Sequence, residues 1–158
     1  MTLRLTLLTA LFVVAAGSCA QAKHVHVMTV LNDGNCRTDE TGVRLIDYPA
    51  LAELRGARLV GMSDDGAAAP PVHLIAIAPG TYPTAGYTLE LLDAEPVPGD
   101  PLVLEVKLSK PPDGAILAQV VTHPCLVVGI DDKTVRRVRV VLDSKSLGEV
   151  DLSSPRAN

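Results

Sequence analysis

Aromatic residues and positive charge are both scarce in this 158-residue sequence. There is no tryptophan, and the one phenylalanine, Phe12, lies near the N-terminus, so three tyrosines (Tyr48, Tyr82 and Tyr87) are the remaining aromatic residues. A core must therefore consist of Val, Leu, Ile and Ala side chains. Lys and Arg number 14 against 18 Asp and Glu, a net charge of −4. This balance argues against nucleic-acid binding, which requires a basic surface.

The motifs of common catalytic sites are also missing. The sequence has no G-x-S-x-G elbow, no P-loop, no G-x-G-x-x-G fingerprint and no H-E-x-x-H pair. His123 and Cys125 suggest a cysteine nucleophile with its base, but Pro124 separates them and no glycine-rich oxyanion loop accompanies them. We therefore predict a protein that is not an enzyme and that needs no cofactor.

A pair of histidines is the one candidate for metal chemistry. His24 and His26 are two residues apart in an alternating run, so on a strand both would project from the same face. A metal site needs a third or fourth ligand, and the sequence places none beside them. A solvated strand face is the better interpretation, and we assign no metal ligand. A metal-handling periplasmic protein that uses His24 and His26 remains an alternative function.

The N-terminus has the layout of a secretory signal. Arg4 is the one charged residue among the first 22, residues 5–16 are almost entirely apolar, and small residues follow. As a helix this run would reach about 18 Å, short of the ~30 Å hydrocarbon core of a membrane. We expect residues 1–22 to be a signal peptide and the protein to be exported to the bacterial periplasm or cell surface. Residues 16–19 also resemble a lipobox, in which case lipid on Cys19 would anchor the chain to a membrane.

Cysteine usage agrees with export. Either cleavage route removes Cys19 from thiol chemistry and leaves Cys36 and Cys125. In an oxidising compartment these two residues are expected to form a disulfide. Closing a loop of about 90 residues would stabilise the fold by roughly 4 to 5 kcal/mol in the chain-entropy model.

Short alternating runs bounded by Gly and Pro predict strands along most of the chain. Side chains that would face opposite sides of a strand alternate along residues 24–31. The clearest alternation lies in residues 102–110, where Glu105, Lys107 and Ser109 alternate with an apolar series: Leu102, Leu104, Val106 and Leu108. Residues 49–54 are the one helix candidate, with Pro49 at an early position. The sequence therefore predicts an all-β, mostly antiparallel small sandwich or barrel with at most one short helix.

Two further apolar runs lie near the end of this pattern. Residues 116–122 and 125–130 are predicted to be strands interrupted at Pro124, which cannot donate to a ladder and so marks an edge, a bend or a bulge. The predicted organisation has four parts: a signal peptide over residues 1–22, an N-terminal strand and short-helix segment with a linker over 23–71, a β domain over 72–152, and a tail over 153–158.

The most informative loop carries two of the three tyrosines. Residues 80–87 read G-T-Y-P-T-A-G-Y, and we call residues 82–87 the tyrosine loop. Pro83 stiffens its start, and Gly86 permits a positive φ or a close backbone approach. A rigid loop that carries two tyrosines, in a protein otherwise poor in aromatic residues, is typical of protein recognition. The alternative is an ordinary turn in which Tyr87 caps the core.

From residue 75 to about residue 141 the chain resembles the PrcB C-terminal-type domain. The resemblance rests on I-A-I-A-P-G-T-Y-P-T-A-G-Y-T-L-E-L, on L-V-L-E-V-K-L-S-K-P-P-D-G-A and on A-Q-V-V-T-H-P-C-L-V-V-G-I, with Cys125 where the family often has an aromatic residue. It implies a small lipoprotein that accompanies a secreted bacterial protease, and a non-catalytic role in binding or stabilising that protease. On this reading Tyr82, Pro83, Thr84, Gly86 and Tyr87 lie at the contact.

The tyrosine loop is also similar to the N-P-T-T-G-Y loop of chagasin-type cysteine-peptidase inhibitors. Tyr82 stands in place of the Asn and Ala85 in place of the second Thr, and the other two inhibitory loops of that family have no counterpart. This resemblance implies direct inhibition of a cysteine peptidase, which is the alternative to a stabilising partner.

Overall fold

A computed structural model describes residues 25–38, 40–55, 71–96 and 101–153. The predicted signal peptide, Cys19 and His24 lie outside these ranges, as does most of the predicted linker before residue 71. Within the described ranges no helix is long and apolar enough to cross a membrane.

The described residues form eight strands and one helix. In chain order these are β1 (Val27–Asp33), β2 (Gly42–Ile46), α1 (Tyr48–Arg55), β3 (His73–Ala78), β4 (Thr88–Pro96), β5 (Leu102–Ser109), β6 (Cys125–Ile130), β7 (Arg137–Leu142) and β8 (Lys145–Asp151). One sheet has the strand order β1-β6-β3-β2 and the other the order β4-β5-β7-β8. Neighbouring strands are antiparallel except β5 and β7, which are parallel. The predicted all-β, mostly antiparallel sandwich with one short helix is confirmed.

The main core lies between the two sheets and is aliphatic. In β5 the side chains of Leu102, Leu104 and Val106 are buried while Glu105 and Lys107 are exposed, as the alternation predicts. These three side chains pack with residues of β3, β6 and β7 in one buried cluster. Burial of apolar area of this kind is the dominant favourable contribution to folding.

A second, smaller core covers the opposite face of the first sheet. Helix α1 places Leu51 and Leu54 in a buried cluster with Leu74 of β3 and Val127 of β6. Its first turn is capped by Asp47, whose carboxylate accepts a hydrogen bond of 2.9 Å from the backbone N–H of Ala50. Strands β3 and β6 are therefore covered on both faces, which explains why their sequences are continuously apolar rather than alternating.

One predicted strand is wrong. Residues 116–122 form no strand: only Thr122 makes a bridge, to Tyr82, and residues 115–121 lie at the surface. This segment carries the chain from the end of β5 in one sheet to the start of β6 in the other, so no sheet edge runs beside most of it. Apolar, β-branched residues form a strand only where a neighbouring strand supplies hydrogen bonds.

Strands that precede residue 71 and strands that follow it belong to the same sheet. Strand β1 pairs with β6 from Val27↔Ile130 to Asp33↔Cys125, and β2 pairs with β3. The sheet that contains β3 and β6 therefore includes both strands formed before residue 71 in the described ranges. The predicted division of the chain at that residue stays a prediction.

Candidate functional site

Four chain connections meet at one end of the sandwich. Strands β1, β3, β5 and β7 end there, and β2, β4, β6 and β8 begin there, as the paired registers require. The described residues of these connections are 34–38 and 40–41, 79–87, 110–124 and 143–144. The side-chain amide of Asn32, at the end of β1, donates a hydrogen bond of 2.6 Å to the carbonyl oxygen of Leu89 in the other sheet. Both sheets therefore contribute to this end.

The two tyrosines of the tyrosine loop form a stacked pair. The ring centroids of Tyr82 and Tyr87 are 4.3 Å apart, and the ring planes differ by 28°. Both side chains are half-buried, whereas Pro83 between them is exposed. Neither tyrosine belongs to the two buried clusters of the described residues. The pair is therefore partly exposed and lies outside both clusters.

Hydrogen bonds hold the loop against the connection between β5 and β6. The backbone N–H of Tyr82 donates to the carbonyl oxygen of Thr122, and the N–H of Thr122 donates to the carbonyl oxygen of Tyr82, each at 2.9 Å. The hydroxyl of Thr122, a buried residue, donates to the carbonyl oxygen of Thr84 at 2.9 Å. The N–H of Ala85 donates to the carbonyl oxygen of Ala118 at 3.2 Å. Four hydrogen bonds thus fix a loop of six residues.

Gly86 is required by both its conformation and its surroundings. Its φ is +98°, a region that L-residues with a side chain rarely adopt. A Cβ atom added at this position would lie 3.0 Å from the Cβ of Pro111 and 3.6 Å from a methyl carbon of Leu117. The expectation that this glycine allows a close approach therefore agrees with the geometry.

The surroundings of Tyr82 disfavour ionisation of its hydroxyl. Burial raises the pKa of the Tyr82 hydroxyl above its usual value of 10.0, and charges on Tyr87 and Asp143 raise it further. Asp143 lies in the turn between β7 and β8, where it and Ser144 both have a positive φ. Tyr82 thus stays a neutral hydrogen-bonding aromatic residue over the physiological range of pH.

A disulfide links two of the segments at this end of the sandwich. Cys36 and Cys125 are bonded, with their Cα atoms 5.8 Å apart, and both residues are buried. The backbone N–H of Cys36 also donates to the carbonyl oxygen of His123 at 2.8 Å, and the side-chain oxygen of Asn35 accepts from the N–H of His123 at 3.2 Å. The disulfide expected from cysteine usage is therefore present, and it ties the segment after β1 to the residues that follow Thr122.

The structure adds an apolar surface that the sequence reasoning missed. Ile116 is fully exposed, and Val120 and Val121 are more than half exposed. They lie in residues 115–121, which we call the apolar segment, directly beside the tyrosine loop through the bond between Ala85 and Ala118. The signal in the sequence is an apolar run between Pro111-Pro112 and Pro124, a composition that also predicts a strand.

The described residues at this end form neither a metal-binding cluster nor a cysteine nucleophile with its base. Within the described part of the chain no group of three or more His, Cys, Asp or Glu residues is placed to hold a metal ion. His26 is exposed, and because its predicted companion His24 is not described, the pair stays a prediction. The sulfur of Cys125 is committed to the disulfide, so it is not the thiolate that a nucleophile with His123 would require.

A comparison with protein families identifies the central part of the chain. Residues 73–131 match the family described as PrcB C-terminal. The match runs from β3 through the tyrosine loop and the apolar segment to the residue after β6, so the suspected resemblance is confirmed for these residues. No curated protein and no solved structure matches the chain.

Proposed function

We propose that this chain, through the PrcB C-terminal match of residues 73–131, is an exported, non-catalytic protein that associates with a secreted protease and stabilises it. The contact is made by the tyrosine loop, with Tyr82, Pro83, Thr84, Gly86 and Tyr87 at the interface. The observation that carries the proposal is the stacked Tyr82–Tyr87 pair, which lies at the surface inside the matched residues.

Rigidity of the loop supports a binding role. Its backbone bonds to Thr122 and Ala118 hold the loop in one conformation before any partner arrives. A loop that is already ordered loses little conformational entropy on binding, so more of its contact energy appears as affinity. Aromatic side chains on such a loop are the residues that contribute most to protein interfaces.

Export would place the loop where a secreted protease acts. The proposal includes removal of residues 1–22 and a location in the bacterial periplasm or at the cell surface, with lipid on Cys19 as the alternative to cleavage before Lys23. N-terminal sequencing and mass measurement of the chain recovered from an envelope fraction distinguish the two routes. A chain that keeps residues 1–22 would contradict the export proposal.

The protein contact is tested by recovery of the partner. Purified wild-type protein is compared with a Tyr82→Ala/Tyr87→Ser double variant and with Leu92→Ser, which changes an exposed apolar residue on β4. All three are checked for an unchanged cooperative unfolding transition and used to recover proteins from an envelope extract. We expect wild type and Leu92→Ser to recover a protein with proteolytic activity on casein, and the double variant to lose it. Equal recovery by all three proteins would refute the tyrosine loop as the contact.

Inhibition is the second candidate, because the tyrosine loop is the part of the chain that is similar to chagasin-type inhibitors and it lies among loops at one end of a β-sandwich. The two functions differ in their effect on the enzyme. An inhibitor would lower the rate of a papain-like cysteine peptidase in a titration, and the double variant would not. A stabilising partner would instead lengthen the lifetime of the recovered protease without lowering its initial rate.

A further inference from the structure

The apolar segment has the composition of a strand but almost none of a strand's pairing. Three of the four large apolar side chains that are exposed in the described residues belong to it: Ile116, Val120 and Val121. No charged residue occurs between Asp113 and the imidazole of His123. The segment is therefore an uncharged, apolar part of the surface of an acidic protein.

Its backbone donors are unused. None of the backbone N–H groups of residues 116–121 donates a hydrogen bond to any residue that the structure describes. Among the carbonyl groups, the oxygen of Ala118 accepts from Ala85, and that of Leu117 accepts a long bond of 3.5 Å from the side chain of Gln119. A row of exposed, unpaired backbone groups beside apolar side chains is a template for another strand.

The pairing with the tyrosine loop determines which side of the segment is free. Ala118 and Thr122, both even-numbered, direct their bonding backbone groups towards residues 82–85. Residues 115–121 contain no turn or bend, and in such an extended chain successive residues direct these groups to opposite sides. The N–H and C=O groups of Gln119 and Val121 therefore face away from the loop, towards solvent, and together they present one open edge.

We propose that this open edge accepts an extended segment of the partner protein, which adds as a strand alongside residues 117–121. Backbone hydrogen bonds to Gln119 and Val121 would supply the pairing, and the exposed aliphatic side chains would select an uncharged segment rich in β-branched or aromatic residues. The inference rests on the proposed function, since the partner is the protease that the adjacent tyrosine loop contacts. The loop and the segment then form one continuous surface.

A second copy of this chain is a poorer occupant on grounds of size. A stable interface buries about 1,600 Å² in total, about half of it on each partner. One short segment with three exposed aliphatic side chains offers a patch of a few hundred Å² at most. A partner that also covers the stacked tyrosines gains the additional area, whereas two segments paired with each other do not.

The test uses a displayed library of random seven-residue peptides selected on the full chain in its oxidised form. The best binder is synthesised, together with two versions that carry N-methyl groups either on the odd-numbered or on the even-numbered amides. We expect selected sequences to be rich in Val, Ile, Thr and aromatic residues, and N-methylation of the set that faces the protein to weaken binding about tenfold, the effect of losing one or two backbone hydrogen bonds. Equal binding of both N-methylated peptides and the unmodified peptide would overturn strand addition.

Two proline variants locate the pairing edge. Val121→Pro removes an outward N–H, whereas Val120→Pro removes an N–H on the side of the tyrosine loop, in the same exposed segment. Both keep an apolar side chain, and both are checked by thermal unfolding. We expect Val121→Pro to weaken peptide binding about tenfold, and Val120→Pro, which changes a contacting side chain but removes no pairing N–H, to weaken it at least about threefold less. Leu92→Ser, outside the segment, should change binding by no more than about twofold. If Val121→Pro weakens binding no more than Val120→Pro does, or if no selected peptide binds at this site, the inference is wrong.

The remaining outcomes separate this inference from the proposed function. A chain that sediments as a dimer, and as a monomer with Val121→Pro, would show that a second copy occupies the edge and would overturn the inference. If the Tyr82→Ala/Tyr87→Ser variant loses the protease while Val121→Pro retains it, the function stands and the strand site fails. If the peptide binds as expected but no protease is recovered by wild type, the strand site stands and the proposed partner fails.

Discussion

Replacement of Gly86 by alanine tests whether the tyrosine loop is held as tightly as its contacts indicate. The substitution places a side chain on a residue with φ +98° and puts its Cβ 3.0 Å from the Cβ of Pro111. A positive φ costs an L-residue about 1 to 2 kcal/mol, and overpacking adds about 1 to 3 kcal/mol. We expect the free energy of unfolding to fall by about 2 to 5 kcal/mol, a large part of a typical domain's stability.

Gly114 provides the matched control. Its φ is +78°, and nothing lies within 4 Å of an added Cβ, so Gly114→Ala introduces the backbone strain without the contact. It should cost about 1 to 2 kcal/mol. Urea unfolding followed by far-ultraviolet circular dichroism, with the slope m unchanged, measures both variants.

The contact itself is isolated by a double-mutant cycle. In a Pro111→Gly background the opposing Cβ is absent, so Gly86→Ala should cost no more than Gly114→Ala does in the wild type. The reasoning would be refuted if Gly86→Ala and Gly114→Ala destabilise equally, or if the Pro111→Gly background leaves the cost of Gly86→Ala unchanged.

Three further perturbations follow from the disulfide, the core and the stacked tyrosines. A Cys36→Ala/Cys125→Ala variant should lose roughly 4 to 5 kcal/mol of unfolding free energy, because the bond spans 89 residues; a loss below about 2 kcal/mol in urea would contradict this. Leu104→Ala, at a fully buried position, should cost about 2 to 5 kcal/mol, and Leu92→Ala, at an exposed one, less than about 0.5 kcal/mol; similar costs would contradict the assignment of the core. The pKa of Tyr82 is raised in the folded protein, so the folded state favours its neutral form: stability is fully present below about pH 10 and should fall as the pH rises through the folded pKa. A Tyr82→Phe variant should show a smaller fall in its thermal midpoint above about pH 10 than the wild type does, measured by thermal unfolding at a series of pH values; an equal fall in both proteins would contradict the raised pKa.

Features that depend on neighbours along the chain could be predicted from the sequence. The alternation of Leu102, Leu104 and Val106 with polar residues predicts a strand buried on one face, because successive side chains of a strand point to opposite sides. Helix α1 also follows from local signals, with Pro49 near its start. The pairing of Cys36 with Cys125 needed only a count of cysteines and an oxidising compartment.

Features that depend on which segments meet could not be predicted this way. Residues 116–121 have the same apolar character as β6, yet β6 lies between β1 and β3 while the segment before it meets only the tyrosine loop. The composition of a segment determines which side chains it would bury as a strand. Whether the strand forms depends on a neighbouring strand that supplies hydrogen bonds to its backbone. The sequence also does not reveal that Val121 lies near Tyr82, since they are 39 positions apart in the chain.

The candidate site divides in the same way. Two tyrosines around Pro83 and Gly86 are visible in the sequence, so a rigid aromatic loop could be proposed from residue types alone. The stacking of Tyr82 on Tyr87, the support by Thr122 and the open edge beside them arise where connections from both sheets meet. Local chemistry determined the parts of this surface, and the long-range pairing of strands decided their arrangement, because hydrogen bonds between distant segments are satisfied only in the assembled sandwich.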